Sequence, residues 1–205
     1  MTCKDNAFPQ MLLLAELAHK AAEHIYLSIT AARSEQRLLR PILRPYDATG
    51  STRFVDFDTT RPTYLTDPAK CHVSHVVADT GDWEQKVAQS LEEMDEVVCY
   101  VKNTNLGFSI PYTLDGEQHD YLPDFIVRVS QGEAEILNLI LEVSGQPRKD
   151  KAVKVATAQT LWVPAVNNQG GFGRWAFLEI TDPWDVKNIL RKLVKDCLQA
   201  NAERK

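Results

Sequence analysis

The run Ile136 to Val143, ILNLILEV, is almost wholly apolar and lacks the alternation of a strand with one wet face. Such a pattern is tolerated only where both faces are covered, since every side chain would otherwise meet water on one side or the other. The run therefore predicts a central strand, and a central strand demands layers of structure over both sheet faces. It also poses a problem, because Glu142 near its end is a carboxylate, costly to bury unless paired or neutralised.

The flanking sequence supplies those layers. Asp82 opens DWEQKVAQSLEEMDEVVCYV, with Gln85 placed as in a capping box and Trp83, Val87, Leu91, Met94 and Val98 at helical spacing. GFSIPYTL, YLPDFIVRV and EILNLILEVSG are strand-like, and the turn residues of DGEQHD and SQGE between them predict an antiparallel meander. KDKAVKVATAQTL predicts a helix, VPAVNNQGGFG a loop, RWAFLEI a strand, and the segment from Pro183 to Ala200 a last helix. The plan is α/β, a central mixed sheet flanked by helices.

Upstream, apolar residues from Pro9 to Leu39 recur at helical spacing, as one helix or two, and Pro41 and Pro45 end them. The expected organisation is an N-terminal helical segment over 1–45 and a folded domain over 46–205. Residues 53–78 suit short strands and loops on its flank. A length of 205 residues, 44% of them hydrophobic, fits one core rather than two. The formal charge of −5 excludes a surface that is basic throughout, and confines any nucleic-acid binding to a local cleft. Four scattered cysteines imply a reduced, cytoplasmic setting without a disulfide framework. The apolar start is interrupted by Glu16, His19, Lys20 and Glu23, so no membrane span is expected.

A hairpin tip near Gly132 and Glu133 would set Asp124 opposite Leu141 or Glu142. In the second register the two carboxylates become close neighbours that repel unless a cation lies between them, and hard oxygen ligands of this kind suit Mg²⁺. Spacing alone equally fits Asp124 as a turn residue after Pro123 and Glu142 as the wet end of a strand.

A Pro-Asp before one strand and ILEVSG at the end of the next, between two helices, resemble the PD-(D/E)xK nuclease core. More narrowly, GSTRFVDFDTTRPTYLTDPAKCHVSHVVADT, WEQKVAQSLEEMDEVVCYVKN, LGFSIPYTLDG, YLPDFIVRV and LWVPAVNNQGGFGRWAFLEITDPWD resemble the C-terminal nuclease region of the Res subunit of type III restriction endonucleases, over about residues 38 to 190. The resemblance implies that Asp124 and Glu142 bind metal and that the backbone carbonyl of Val143 completes its shell. It implies Mg²⁺, with Mn²⁺ as a substitute, double-stranded DNA as substrate and a 5′-phosphate product. It also implies two partners, a helicase-like motor region and a Mod methyltransferase subunit that reads the sequence. A homodimer is compatible with it.

The motif departs at one position. Lysine is wanted two residues after Glu142, where an ammonium can orient the attacking water and favour its deprotonated form; here it is Ser144. Either the chain is an inactive relic, or a lysine from elsewhere has taken over the place. Among Arg148, Lys149, Lys151 and Lys154, the last two would face back from a helix starting near Asp150, and migration to one of them is the favoured expectation, beside the plainer reading of a solvated helix start. Glu84 is a lesser candidate, because related nucleases often add an acid from the helix before the sheet; a favourable charge in the first helical turn explains it as well. Gln159 could meet substrate backbone, or be an exposed helical glutamine.

Two other signals carry less. Cys71, His72 and His75 in CHVSH lack a fourth ligand for structural zinc, and in a strand the two histidines would face apart. NNQGGFGRW has neither the GK[ST] ending nor the following helix of a phosphate cradle; with no Walker A motif anywhere, ATP is not expected to bind this chain. The expectation is a Mg²⁺-dependent DNA endonuclease domain. The alternative is a catalytically inactive nuclease-like fold that binds DNA or docks partner subunits.

Overall fold

The computed structural model describes residues 17–22, 24–26, 39–42, 50–78, 82–131, 135–144 and 150–202. The chain divides into two units, Met1–Leu39 and Arg40–Lys205. In the first, residues 17–22 and 24–26 are helical; the rest of the predicted N-terminal helical segment short of Leu39 lies outside the described residues, as does Pro45 at the expected boundary. Among the described residues no helix is long and apolar enough to cross a membrane.

The second unit is built on a four-stranded sheet of order β3-β6-β7-β8, with β3 Val97–Lys102, β6 Phe125–Ser130, β7 Ile136–Val143 and β8 Arg174–Ile180. The first three are antiparallel neighbours, and β8 runs parallel to β7. Two small antiparallel pairs stand apart, β1 Thr63–Leu65 with β2 His75–Val77 and β4 Ile110–Leu114 with β5 Glu117–Tyr121. The α-helices are α1 Trp83–Glu92, α2 Lys151–Thr157, α3 Val163–Gln169 and α4 Val186–Ala202.

The apolar run Ile136 to Val143 is the interior strand that its composition requires. Leu137, Leu139 and Leu141 point into one core with Val87 and Leu91 of α1 and Leu190 of α4. Ile140 points into the other, with Ile110, Tyr121, Ala158 and Phe177. The sheet thus has α1 and α4 on one face, and α2, α3 and the β4–β5 hairpin on the other. A parallel neighbour for β7 needs a long crossover, which the α2–α3 helix provides.

Three expectations need correction. The helix opened by Asp82 stops at Glu92, and VVCYVK after it is strand β3: its β-branched and aromatic side chains favour the pleated edge beside β6 once Asp95 and Glu96 have interrupted the helical stripe. Asp82 makes no side-chain cap bond, so the capping box is not formed. Strand β3 occupies the sheet position expected for GFSIPYTL, which instead pairs with EQHDY across Asp115 and Gly116, both at positive φ (52° and 83°) as a two-residue hairpin turn requires. Lastly, VPAVNNQ is helix α3 rather than loop. A π-helical turn over Ala158–Trp162 precedes it, with the Thr160 hydroxyl donating to the Ala156 carbonyl at 2.7 Å. Such a widened turn accommodates Pro164, whose missing N–H and bulk disrupt a regular α-helix, and Gly170 at φ 69° ends the helix.

The β1–β2 pair is bound to the core through one carboxylate. Glu92 accepts hydrogen bonds from the Tyr64 hydroxyl (2.5 Å), the Tyr100 hydroxyl (2.8 Å) and the Asp67 backbone N–H (2.7 Å). Burial and this carboxylate hold the Tyr64 phenol up at about 12. Glu92→Ala should strand three donors and lower unfolding free energy by about 2–4 kcal/mol, measured by urea denaturation.

Candidate active site

The β6–β7 register sets Phe125 opposite Leu141, so one step outward Asp124 stands opposite Glu142, the second of the two registers the sequence allowed. The Val143 backbone N–H donates to Asp124 Oδ2 at 2.7 Å, locking the aspartate across the strand ends. Glu142 Oε2 accepts from the hydroxyl of Tyr121, the buried last residue of β5, at 2.7 Å. Glu142 alternates to the same sheet face as Ile140, the face covered by α2.

These neighbours perturb one another. Burial, and next the negative charge of Asp124, push the Glu142 carboxyl up to about 7, against the opposing pull of the Tyr121 hydroxyl and of Lys154 and Lys151. Burial and the adjacent Glu142 charge raise the Tyr121 phenol, so it stays a donor. The physical reading is a paired-carboxylate site that holds about one negative charge too many for its surroundings near neutral pH.

Lys151 and Lys154 open α2, and both act electrostatically on Glu142. Lys151 Nζ is 2.7 Å from Glu179 Oε1, and the ammonium holds the Glu179 carboxyl below its usual range. Glu179 is the register partner of Glu142 on the parallel strand β8. Lys154 Nζ pairs with Asp150 Oδ2 at 2.6 Å and sits 5.6 Å from the centroid of the Tyr112 ring. Ser144, where the motif wants lysine, is 8% exposed; its N–H bonds the Ile180 carbonyl at 2.8 Å, and its Oγ, on the Glu179 side, has no partner at hydrogen-bond geometry.

Glu84 is buried in the first turn of α1, the helix over the sheet face opposite to that of Glu142. Gln159 is exposed on the π-helical turn. His72 Nδ1 lies 3.3 Å from Thr52 Oγ1, and His75 Nδ1 lies 2.9 Å from Ser74 Oγ, each on its own local partner. Among the described residues no group of three or more His, Cys, Asp and Glu side chains gathers as a metal cluster. Gly170, Gly171 and Gly173, all at positive φ, make the turn from α3 into β8.

Two residues of the site went unnoticed in the sequence. Glu179 has the same signature as Glu142, a lone carboxylate near the end of an apolar strand. Tyr121 stands three residues before Asp124, and only the β5 pairing brings its hydroxyl round to Glu142.

The donor set fits a hard divalent cation in kind: two facing carboxylates, one raised because no positive charge lies between them, and an orphaned buried hydroxyl beside them. Comparison of the chain with protein-family models, curated proteins and solved structures found no match.

Proposed function

We propose that this chain is a Mg²⁺-dependent DNA endonuclease domain of PD-(D/E)xK type, from a type III-like restriction system. The observation that carries the reading is the Asp124–Glu142 pair across the ends of β6 and β7, with the Glu142 carboxyl raised to about 7. The order of elements supports it: a helix, three antiparallel strands, a helical crossover and a strand parallel to the third, as the resemblance implies.

Asp124, Glu142 and the Val143 carbonyl would hold Mg²⁺, which supplies polarisation of the scissile phosphate and charge relief at the leaving oxygen. The Val143 N–H and the Tyr121 hydroxyl each fix one carboxylate oxygen, so neither acid can swing away from its partner. Lys151 takes the part of the missing lysine. Its ammonium is tied to Glu179, beside Glu142 and on the Ser144 side, where it can orient an attacking water and favour loss of its proton. Lys154 supports the charged state of Glu142. In-line attack would leave a 5′-phosphate, with motor and Mod methyltransferase partners supplying translocation and sequence recognition, and the cytoplasm as the setting.

The test is calorimetric titration of Mn²⁺ together with plasmid nicking. Binding and nicking by the wild-type chain are expected; no binding at millimolar Mn²⁺ would remove the catalytic reading. The two lysines separate by signature. Lys151→Ala should slow nicking by about 10²-fold with Mn²⁺ affinity little changed, whereas Lys154→Ala should weaken Mn²⁺ binding near neutral pH by leaving Glu142 more protonated. Ser144 and the engagement of Lys151 with Glu179 favour a second reading, an inactive nuclease-like fold; it predicts Mn²⁺-independent DNA binding without nicking.

A further inference from the structure

Beyond the carboxylate pair, a cleft of about 530 Å³ runs up to Asp124 from the other side of the β6 start. One wall is the segment Phe57 to Arg61; the other is the end of β3 with Asn103 and Thr104, and Leu122 to Asp124 form its floor at the site. The walls are tied together. Asn105 Nδ2 donates to the Asp56 carbonyl at 2.6 Å, the Ala78 N–H to the Pro62 carbonyl at 3.0 Å, and the Lys102 ammonium to the Val77 carbonyl. Asn103 N–H meets the Asp124 carbonyl at 2.8 Å, and the Asn103 amide bonds the Pro123 carbonyl at 3.0 Å, so the cleft and the aspartate are held as one piece.

We infer that this cleft is a subsite for a phosphate of the DNA backbone next to the scissile one, with Arg61 as its exposed cation and Lys102 as its buried one. The inference rests on the nuclease reading above. The chemistry of the lining is what selects a phosphate: a guanidinium that can bind two oxygens at once, a nearly buried ammonium (7% exposed), and the hydroxyls of Thr59 and Thr104. Asp58 and Asp124 balance those cations formally. A divalent ion held by Asp124 would cancel one of the two negative charges and leave the cleft cationic, so backbone binding here would depend on the metal. In a chain of net charge −5 the attraction has to be local, and this cleft places it against the candidate site.

Fluorescence anisotropy of a short labelled DNA duplex, with Ca²⁺ in place of Mg²⁺ to keep it uncut, tests the assignment on the whole chain. Arg61→Ala should weaken binding by about tenfold at low salt and reduce the slope of log K against log salt by about 1, as loss of one phosphate contact predicts. Arg61→Lys should restore part of both. The control is Arg53→Ala, an equal change of charge at an exposed arginine lining a different groove, which should leave both unchanged. Equal effects at Arg53 and Arg61, or none at Arg61 while the wild-type chain binds, overturn the subsite and leave the nuclease reading standing. No binding by the wild-type chain overturns both.

Discussion

Asp124→Ala should reduce metal-dependent nicking by about three orders of magnitude and abolish Mn²⁺ binding in calorimetry, while the folded state survives. A metal's electrostatic relief of phosphoryl transfer is worth several kcal/mol, and each 1.36 kcal/mol is tenfold in rate. The variant should fold because Asp124 precedes β6 and is only half-buried; what it loses is the bond from the Val143 N–H, a local cost of about 1–3 kcal/mol. Removing Asp124 also removes the charge that lifts the Glu142 carboxyl from about 7, so Glu142 becomes a better anion just as it loses its partner ligand. Retained Mn²⁺ binding in Asp124→Ala would place the metal elsewhere and end the proposal for this pair.

Glu142→Gln should have the opposite effect on stability. In the folded state the Glu142 carboxyl is raised from 4.5 to about 7, whereas in the unfolded chain it returns to its ordinary value. Between those two pH values the folded state binds the extra proton, so the stability this group contributes is fully present below pH 4.5 and is lost as pH rises to about 7. Above pH 7 the loss is complete, on the order of 3 kcal/mol at 1.36 kcal/mol per pH unit. Glutamine is neutral at every pH and its carbonyl can still accept from the Tyr121 hydroxyl, so Glu142→Gln escapes the loss. At pH 8 without metal the variant should melt about 5–10 °C above wild type, and at pH 4 the two should nearly coincide. Mn²⁺ should stabilise wild type and not the variant, and its affinity for wild type should climb as pH rises toward 7, because binding must displace a proton. A variant no more stable than wild type at pH 8 would show that the carboxylate is already compensated by its lysines. The same site would then oppose folding when empty and favour it when filled, a sign of residues kept for chemistry rather than for stability.

Legibility followed the range of the interactions. Strand β7 was readable because burial on both faces leaves a local trace, an unbroken apolar run, and α1 and α4 were readable from their 3.6-residue stripes. The β6–β7 register was readable to within one residue because a short hairpin tip leaves little choice, and that sufficed to bring Asp124 against Glu142. The run VVCYVK was misassigned because its apolar residues also continue the stripe of α1; only a vacant edge beside β6 decides for strand. EQHDY is wholly polar up to its tyrosine and carries no core signal, so its role as β5, and with it the reach of Tyr121 to Glu142, came from pairing with β4.

What the sequence determined by itself is therefore the layered α/β plan, the central strand and the two facing acids, all set by hydrophobic patterning and short-range geometry. The tertiary structure alone decided which strand borders β6, that Glu179 stands beside Glu142 and engages Lys151, and that the cleft at Arg61 and Lys102 opens onto Asp124. These depend on contacts between residues far apart in the chain. Such contacts form only when the core closes, so nothing in a local window of sequence encodes them.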